Sequence, residues 1–138
     1  KLGELYEFSS GLSKARSEFG FGEGFVSFKD VFYNYFLPNE LSDLVNSNEK
    51  EQIKCSVQRG DVFLTRTSET FDELGMSSVA LKDYPNATFN GFTKRLRPID
   101  NHVLPEYAGY YFRSKYFRSI VIFQQFSAPI VFTSLKLL

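Results

Sequence analysis

Residues 60–70 read GDVFLTRTSET. Successive side chains of a strand point to opposite faces, so Val62 and Leu64 share one face and Phe63 takes the other. The next residue on the Val62/Leu64 face is Arg66, with Thr65 and Thr67 on either side and Ser68 beyond. An apolar strand thus ends in a cluster of hydrogen-bonding groups around one guanidinium. The fold depends on where this strand sits, and the function on what Arg66 faces.

Working outward, KLGELYEFSSG starts with alternation and reads as a strand ending at SSG. LSKARSEFGFGEG is polar and glycine-rich and reads as a loop. FVSFKDVFYNYF is β-branched and aromatic, either a strand or a strand turning into a short helical piece after Lys29. LPNELSDLVNSNEKEQIKC holds a helix candidate, with Asn39 or Ser42 as cap and Leu41, Leu44 and Val45 at helical spacing. SSVALKD and TFNGFTKRLRP read as strands joined by the turn DYPNA, which predicts a hairpin. PEYAGYYFRSKYFRSIVIFQQF predicts one long helix, with Pro105 and Glu106 in its first turn. Its stripe of Tyr107, Tyr110, Tyr111, Phe117 and Val121 is expected to pack on the sheet. SAPIVFTSLKLL ends the chain as a strand or irregular segment. Strands do not alternate regularly with helices, so the pattern predicts an α+β domain rather than a doubly wound parallel sheet.

The 138 residues are enough for one domain with a real core, and residues 1–138 are taken as a single domain. Aromatics make up 17%, with sixteen Phe, eight Tyr and no Trp, too much apolar material for a disordered chain. No stretch approaches the roughly eighteen apolar residues of a membrane span. The single Cys55 excludes an intrachain disulfide framework, and with His102 as the single histidine a typical zinc site is excluded too. The first residues carry no signal-peptide core. These features favour a cytoplasmic protein, and the sequence NAT at 86–88 then reads as a plain turn rather than a glycosylation acceptor.

Net charge is zero, but its distribution is uneven. Residues 1–55 carry six basic and nine acidic groups, 56–93 three and five, and 94–138 seven and two. The C-terminal third is therefore basic by five. The excess marks either one positive face or charges scattered over the fold, and composition leaves both open.

Catalytic motifs are few. GFGEG (20–24) matches a bare G-x-G-x-G, but a cofactor-binding version needs a strand before it and a helix after it. Here a polar stretch precedes and a strand-like one follows, so an exposed turn is the better reading. His102 lies between two prolines with no nucleophile motif and reads as a loop histidine. Glu69, Asp72 and Glu73 read as a solvated loop face. No cofactor and no metal is implied.

Recognition remains. Three polar and basic clusters lie among the aromatic stretches: SKAR with Lys14 and Arg16, TRTSE with Thr65, Arg66, Thr67 and Ser68, and TKRLR with Lys94, Arg95 and Arg97. A fourth, RSKYFR, runs from Arg113 to Arg118. An arginine fork pairs with the guanine edge or clamps a phosphate, and hydroxyls suit phosphate oxygens and base edges. These nine residues are the candidate DNA contacts. For Arg66, a salt bridge to Glu69 or Asp72 is the competing reading.

At these same residues the chain resembles a target recognition domain of the specificity (S) subunit of type I restriction–modification enzymes. The resemblance runs in order through KLGELYEFSSGLSK, FGFGEGFVSFKDVFYN, GDVFLTRTSET, SSVALKDYPNATFNGFTKRLRP and LPEYAGYYFRSKYFR. It covers nearly the whole chain. It implies an α+β fold with a curved, mixed or antiparallel sheet and a long helix in the C-terminal half. It implies a non-enzymatic domain, without cofactor, that reads one half of a split double-stranded DNA target mainly in the major groove. In a complete S subunit, two such domains are held apart by two long helices. Methyltransferase subunits dock there and methylate adenine with S-adenosylmethionine, and restriction subunits can join. This chain stops at FTSLKLL and carries no second domain, so it is expected to be an excised domain or the ordered part of a longer subunit. The competing readings are an AdoMet- or nucleotide-binding enzyme fragment, resting on GFGEG, and an aromatic-rich RNA- or protein-interaction module. The interaction module requires Tyr33, Tyr35, Tyr110 and Tyr111 to be exposed.

Overall fold

Strand β4 (Val62–Thr65) has no exposed residue. In the computed structural model, which describes residues 2–66 and 75–125, it lies inside a four-stranded antiparallel sheet. The strand order is β1 (Tyr6–Ser10), β7 (Thr93–Pro98), β4 and β5 (Ser77–Val79). The alternation read from GDVFLT is realised on both faces. Val62 and Leu64 enter one core cluster with Val79, Leu96, Ala108, Phe112, Phe117 and Val121. Phe63 enters another with Val26, Val31, Val57 and Phe89. Apolar residues on both faces are what an internal strand requires, because each face must be covered.

A second, three-stranded sheet is mixed. It comprises β3 (Asp43–Val45), β2 (Phe19–Val26) and β6 (Thr88–Phe89), with β2 antiparallel to β3 and parallel to β6. The molecule is α+β, as the pattern predicts, but with two sheets rather than one. The remaining elements are short: α1 (Leu2–Leu5), a 3-10 turn (Arg16–Glu18), α2 (Phe28–Tyr33), α3 (Glu49–Lys54), α4 (Pro105–Tyr111) and α5 (Lys115–Gln125).

Several expectations are corrected. GFGEG lies inside β2, not in a loop. Gly20 and Gly22 take φ of 96°, and the pairing with β3 shifts between Phe19 and Glu23. A Cβ on Gly22 would collide with the carbonyl of Val45, so the glycines serve a bulge against β3 rather than a phosphate. The helix expected around Leu41 to Val45 is β3 instead. The helix of that region starts later, at Asn48, whose side chain accepts from Glu51 N while Glu51 accepts from Asn48 N. This reciprocal capping box outweighs the apolar spacing, because it satisfies two orphan donors at once. Ser27 and Asp30 cap α2 in the same way. The hairpin across DYPNA does not form: β5 pairs with β4, whereas β6 pairs with β2. At the N-terminus one helical turn precedes the strand.

The long helix is divided into α4 and α5. Ser114 Oγ accepts from Phe117 N at 3.2 Å and donates to the carbonyl of Tyr111 at 2.6 Å, so it ends one helix and caps the next. Arg113 at the break turns inward. Its guanidinium donates to the carbonyls of Ser77, Val31, Phe32 and Asn34, collecting the unpaired end of α2. The break also changes which face is buried. Ala108, Phe112, Phe117 and Val121 enter the core, whereas Tyr107 and Tyr110 are exposed.

Two outcomes follow from this core. Phe117 packs edge-on against Phe112 at 4.9 Å and is almost fully buried, so Phe117→Ala is expected to cost about 3–5 kcal/mol, read from denaturant unfolding. Burial, aided by the neighbouring Tyr111, pushes the Tyr6 hydroxyl up to about 12. The folded state therefore holds this proton more tightly than the unfolded chain does. The corresponding stability is complete below pH 10 and is lost as pH rises towards 12, about 2–3 kcal/mol in all. Tyr6→Phe keeps the ring against Phe112 and is expected to be measurably less sensitive to alkali than the parent over that window. Equal curves would refute the assignment.

Candidate nucleic-acid interface

Strand β7 sorts the basic cluster TKRLR by parity. Phe63 pairs with Arg95 and Leu64 with Lys94. Residues directly opposite share a face, so Arg95 and Arg97 lie on the Phe63 face and Lys94 on the Leu64 face. The two sides use their cations differently.

On the Phe63 face the arginines are internal. Arg95 is 6% exposed, lies 5.5 Å over the Phe89 ring, and donates to the Ser56 carbonyl at 2.7 Å and to Ser9 Oγ at 3.1 Å. Burial pulls its pKa below the usual arginine value, with Arg97 adding repulsion. Arg97 grips Asp61 through Nε and Nη2, both at 2.8 Å, and also donates to Ser56. The bond to Asp61 pushes the Arg97 pKa up. Thr65 is fully buried, and its Oγ1 accepts from Met76 N at 2.9 Å. Thr65 and Arg95 are buried, and most polar atoms of Arg95 and Arg97 are engaged inside the fold, Arg95 Nε excepted, which weighs against the expectation that these three residues contact DNA. These placements also bear on the two readings of the C-terminal charge excess. Arg95, Arg97 and Arg113 supply much of the C-terminal excess, and all three hold backbone carbonyls.

On the Leu64 face the sheet ends in a different set. Continuing the β4–β7 register one step past Thr65 and Thr93 puts Arg66 opposite Phe92, and Arg66 N donates to the Phe92 carbonyl at 3.0 Å. Arg66 is partly exposed, and its Nε is shielded without a hydrogen-bond partner. Two residues from Phe92, Lys94 bonds Ser10 Oγ on β1 at 2.9 Å. From α5, Arg118 comes to the same end, its Nη1 3.4 Å from where a Cβ on Gly75 would stand. Gly75 N in turn donates to the Thr65 carbonyl. Arg66, Lys94, Arg118, Ser10 and the exposed Phe92 thus gather at one edge.

The other candidates lie outside these two strands. Lys14 pairs with Glu51 of α3 at 3.0 Å, and Arg16 is exposed in the 3-10 turn. Thr67 and Ser68, and the alternative partners Glu69 and Asp72 of Arg66, lie outside the described residues. Hence Arg66 and Arg95 do not share one surface. Arg118 belongs to the fourth basic cluster, RSKYFR, but is not among the nine candidate contacts, and Phe92 is in none of the clusters. The signal for Phe92 was the N-G-F turn, where a large apolar residue follows two turn formers. His102 is exposed and bonds Asp100 at 2.6 Å in a loop, as read. Among the described residues no cluster of His, Cys, Asp and Glu could hold a metal, and no helix is long and apolar enough to cross a membrane.

The fold recurs in solved structures. The HsdS subunit from Thermoanaerobacter tengcongensis superposes with a TM-score of 0.59 at 18% identity, over 87% of this chain and 27% of that one. The type I restriction–modification S subunit from M. genitalium gives 0.58 at 18% identity, over 99% and 30%. A chain from a type I restriction–modification system, solved to explain complex assembly and conformational transition, gives 0.56 at 19% identity, over 81% and 26%. The fold is that of part of a type I specificity subunit. The chain spans under a third of the length of these relatives. No family model and no curated protein sequence matches it.

Because Asp61 is fully buried and its carboxylate is shared between Arg97 and Gln58 N, Asp61→Ala strands a guanidinium. The expected loss is about 3–5 kcal/mol, as for a broken buried pair. Thermal unfolding checks it. A change under 1 kcal/mol would return Arg97 to the pool of available DNA contacts.

Proposed function

We propose that this chain is a target recognition domain of a cytoplasmic type I restriction–modification complex. It binds double-stranded DNA in the major groove and reads one half of a split target. It performs no chemistry itself, leaving adenine methylation and cleavage to methyltransferase and restriction subunits. The observation that carries the reading is the edge built by Arg66, Lys94, Arg118 and Ser10 on an S-subunit fold. Lys14 and Arg16, with Thr67 and Ser68, complete the proposed contact set. Few cations are free of internal duties, so binding by the single domain is weak and salt-dependent, each phosphate contact adding about 0.9 to the salt slope.

Arg66 tests the reading. Duplexes selected from a random pool by the S subunit with its methyltransferase partners supply the cognate site, and scrambled duplexes the control. Arg66→Ala is expected to cost about 1–3 kcal/mol on the cognate site with little change on scrambled DNA, because a bidentate guanine contact is lost. Equal weakening on both would mean a phosphate clamp. Undiminished binding on both, with at most about 1 kcal/mol of lost stability, would mean a surface ion pair and would remove Arg66 from the interface.

A second reading has one specific observation behind it. Tyr33, Tyr35 and Tyr110 are exposed, Tyr33 at 73%, although Tyr111 is packed against the core. This surface suits an interaction module, since exposed tyrosines offer contact area at low entropic cost. It is formed by α2, the segment just after it and α4, and is compatible with subunit docking by a DNA-reading domain.

A further inference from the structure

We propose that Phe92 is a specificity determinant that packs on the 5-methyl group of a thymine, beside the base pair met by Arg66; this rests on the DNA-reading function above. Phe92 is 63% exposed, yet it sits on one of the most firmly braced turns of the molecule. Asn90 is buried, and its Oδ1 accepts from both Phe92 N at 2.9 Å and Thr93 Oγ1 at 3.0 Å. Its Nδ2 donates to the Val26 carbonyl at 3.1 Å. The Phe92 carbonyl is held by Arg66 N. Gly91 is confined as well, since a Cβ there would stand 2.7 Å from Ser13 Oγ. A turn fixed this tightly holds an apolar ring in water, where the ring gains nothing unless a partner covers it.

The position says what the partner is. Arg66 N donates to the Phe92 carbonyl one step beyond the Thr65–Thr93 pair, so the two residues stand opposite each other at the strand ends, with side chains on the same face by strand parity. Base pairs stack about 3.4 Å apart, so the two side chains reach the same or adjacent base pairs. A guanidinium reads the acceptors of guanine. A phenyl ring has no donor, and its match in the major groove is the thymine methyl. Lys94, two residues along on the same face, is placed for the phosphate flanking that step. The pair is therefore complementary: one side chain reads polarity and the other reads a methyl group.

The test is a cycle between protein and base. The chain and its Phe92→Ala and Phe92→Leu variants are run against duplexes selected by the parent chain at low salt, and each thymine is replaced in turn by uracil, which lacks only the methyl. The parent is expected to lose about fourfold at one thymine, the worth of one buried methyl at about 0.8 kcal/mol. Phe92→Ala should bind the thymine duplex more weakly and be indifferent to uracil at that position, and Phe92→Leu should fall between. Thermal midpoints should match, since the ring is exposed. If the parent selects a site but no thymine is methyl-sensitive, or Phe92→Ala keeps the sensitivity, the assignment to Phe92 is wrong while DNA reading stands. If the parent selects no site, both fall.

Discussion

The Arg97–Asp61 pair is the contact on which the rest of the sheet depends. Residues 55–60 lead from α3 into β4 with little strand pairing of their own. Asp61 closes them by accepting from Gln58 N at 2.7 Å, and Arg97 reaches across from β7 to the same carboxylate. The Ser56 carbonyl accepts from both Arg95 and Arg97. On the other side, Ala80 N donates to the Asp61 carbonyl and Gly60 N to that of Ala80, joining β5. One buried carboxylate thus sets where β4 begins relative to both neighbours. Burying charge is costly, and the cost is offset here because nearly every donor has a partner. Arginine suits the task better than lysine, since a planar fork bonds two acceptors at once and is less strongly hydrated.

That role explains what was and was not legible in the sequence. The alternation in GDVFLT placed β4, and its two faces lead into two separate clusters of core residues. Such a signal is local and periodic, so it survives without tertiary knowledge. The basic cluster TKRLR was legible as composition but not as function. Whether an arginine meets water or a carbonyl depends on strand parity and on a loop forty residues earlier. GFGEG failed for a similar reason: a glycine needed by a neighbouring carbonyl cannot be told from one needed by a ligand until the partner strand is known. The helix break at Ser114 was written locally as a capping serine, but apolar spacing on both sides masked it. Asn48 and Glu51 spelled a capping box that the Leu41, Leu44 and Val45 spacing outvoted.

The division of cations also bears on charge. A chain with sixteen basic and sixteen acidic groups can still present a positive edge if its acids and internal arginines neutralise one another elsewhere. Lys14 with Glu51, Arg59 with Glu106 and Arg97 with Asp61 are such pairs. Arg66, Lys94 and Arg118 stand at the end of the sheet. A local field of this kind acts over about a Debye length, roughly 8–10 Å at physiological salt, so net neutrality of the whole chain does not cancel it.

The scaffold and the proposed reading edge are therefore physically separable. Arg95, Arg97 and Arg113 hold carbonyls and cannot change without stranding buried acceptors. Arg66, Phe92 and Lys94 stand at the strand ends, supported from beneath by backbone bonds that do not depend on their side chains: Arg66 N to Phe92 O, and the register of Leu64 with Lys94. Alternation along β7 helps the separation, since each step of one residue moves a side chain from the Phe63 face to the Leu64 face, which carries Lys94 at the strand end. On the proposed reading, a domain built this way can exchange the side chains that meet DNA while the carboxylate and carbonyl network keeps their positions. Recognition then changes by substitution at an edge, without refolding the sheet that presents it.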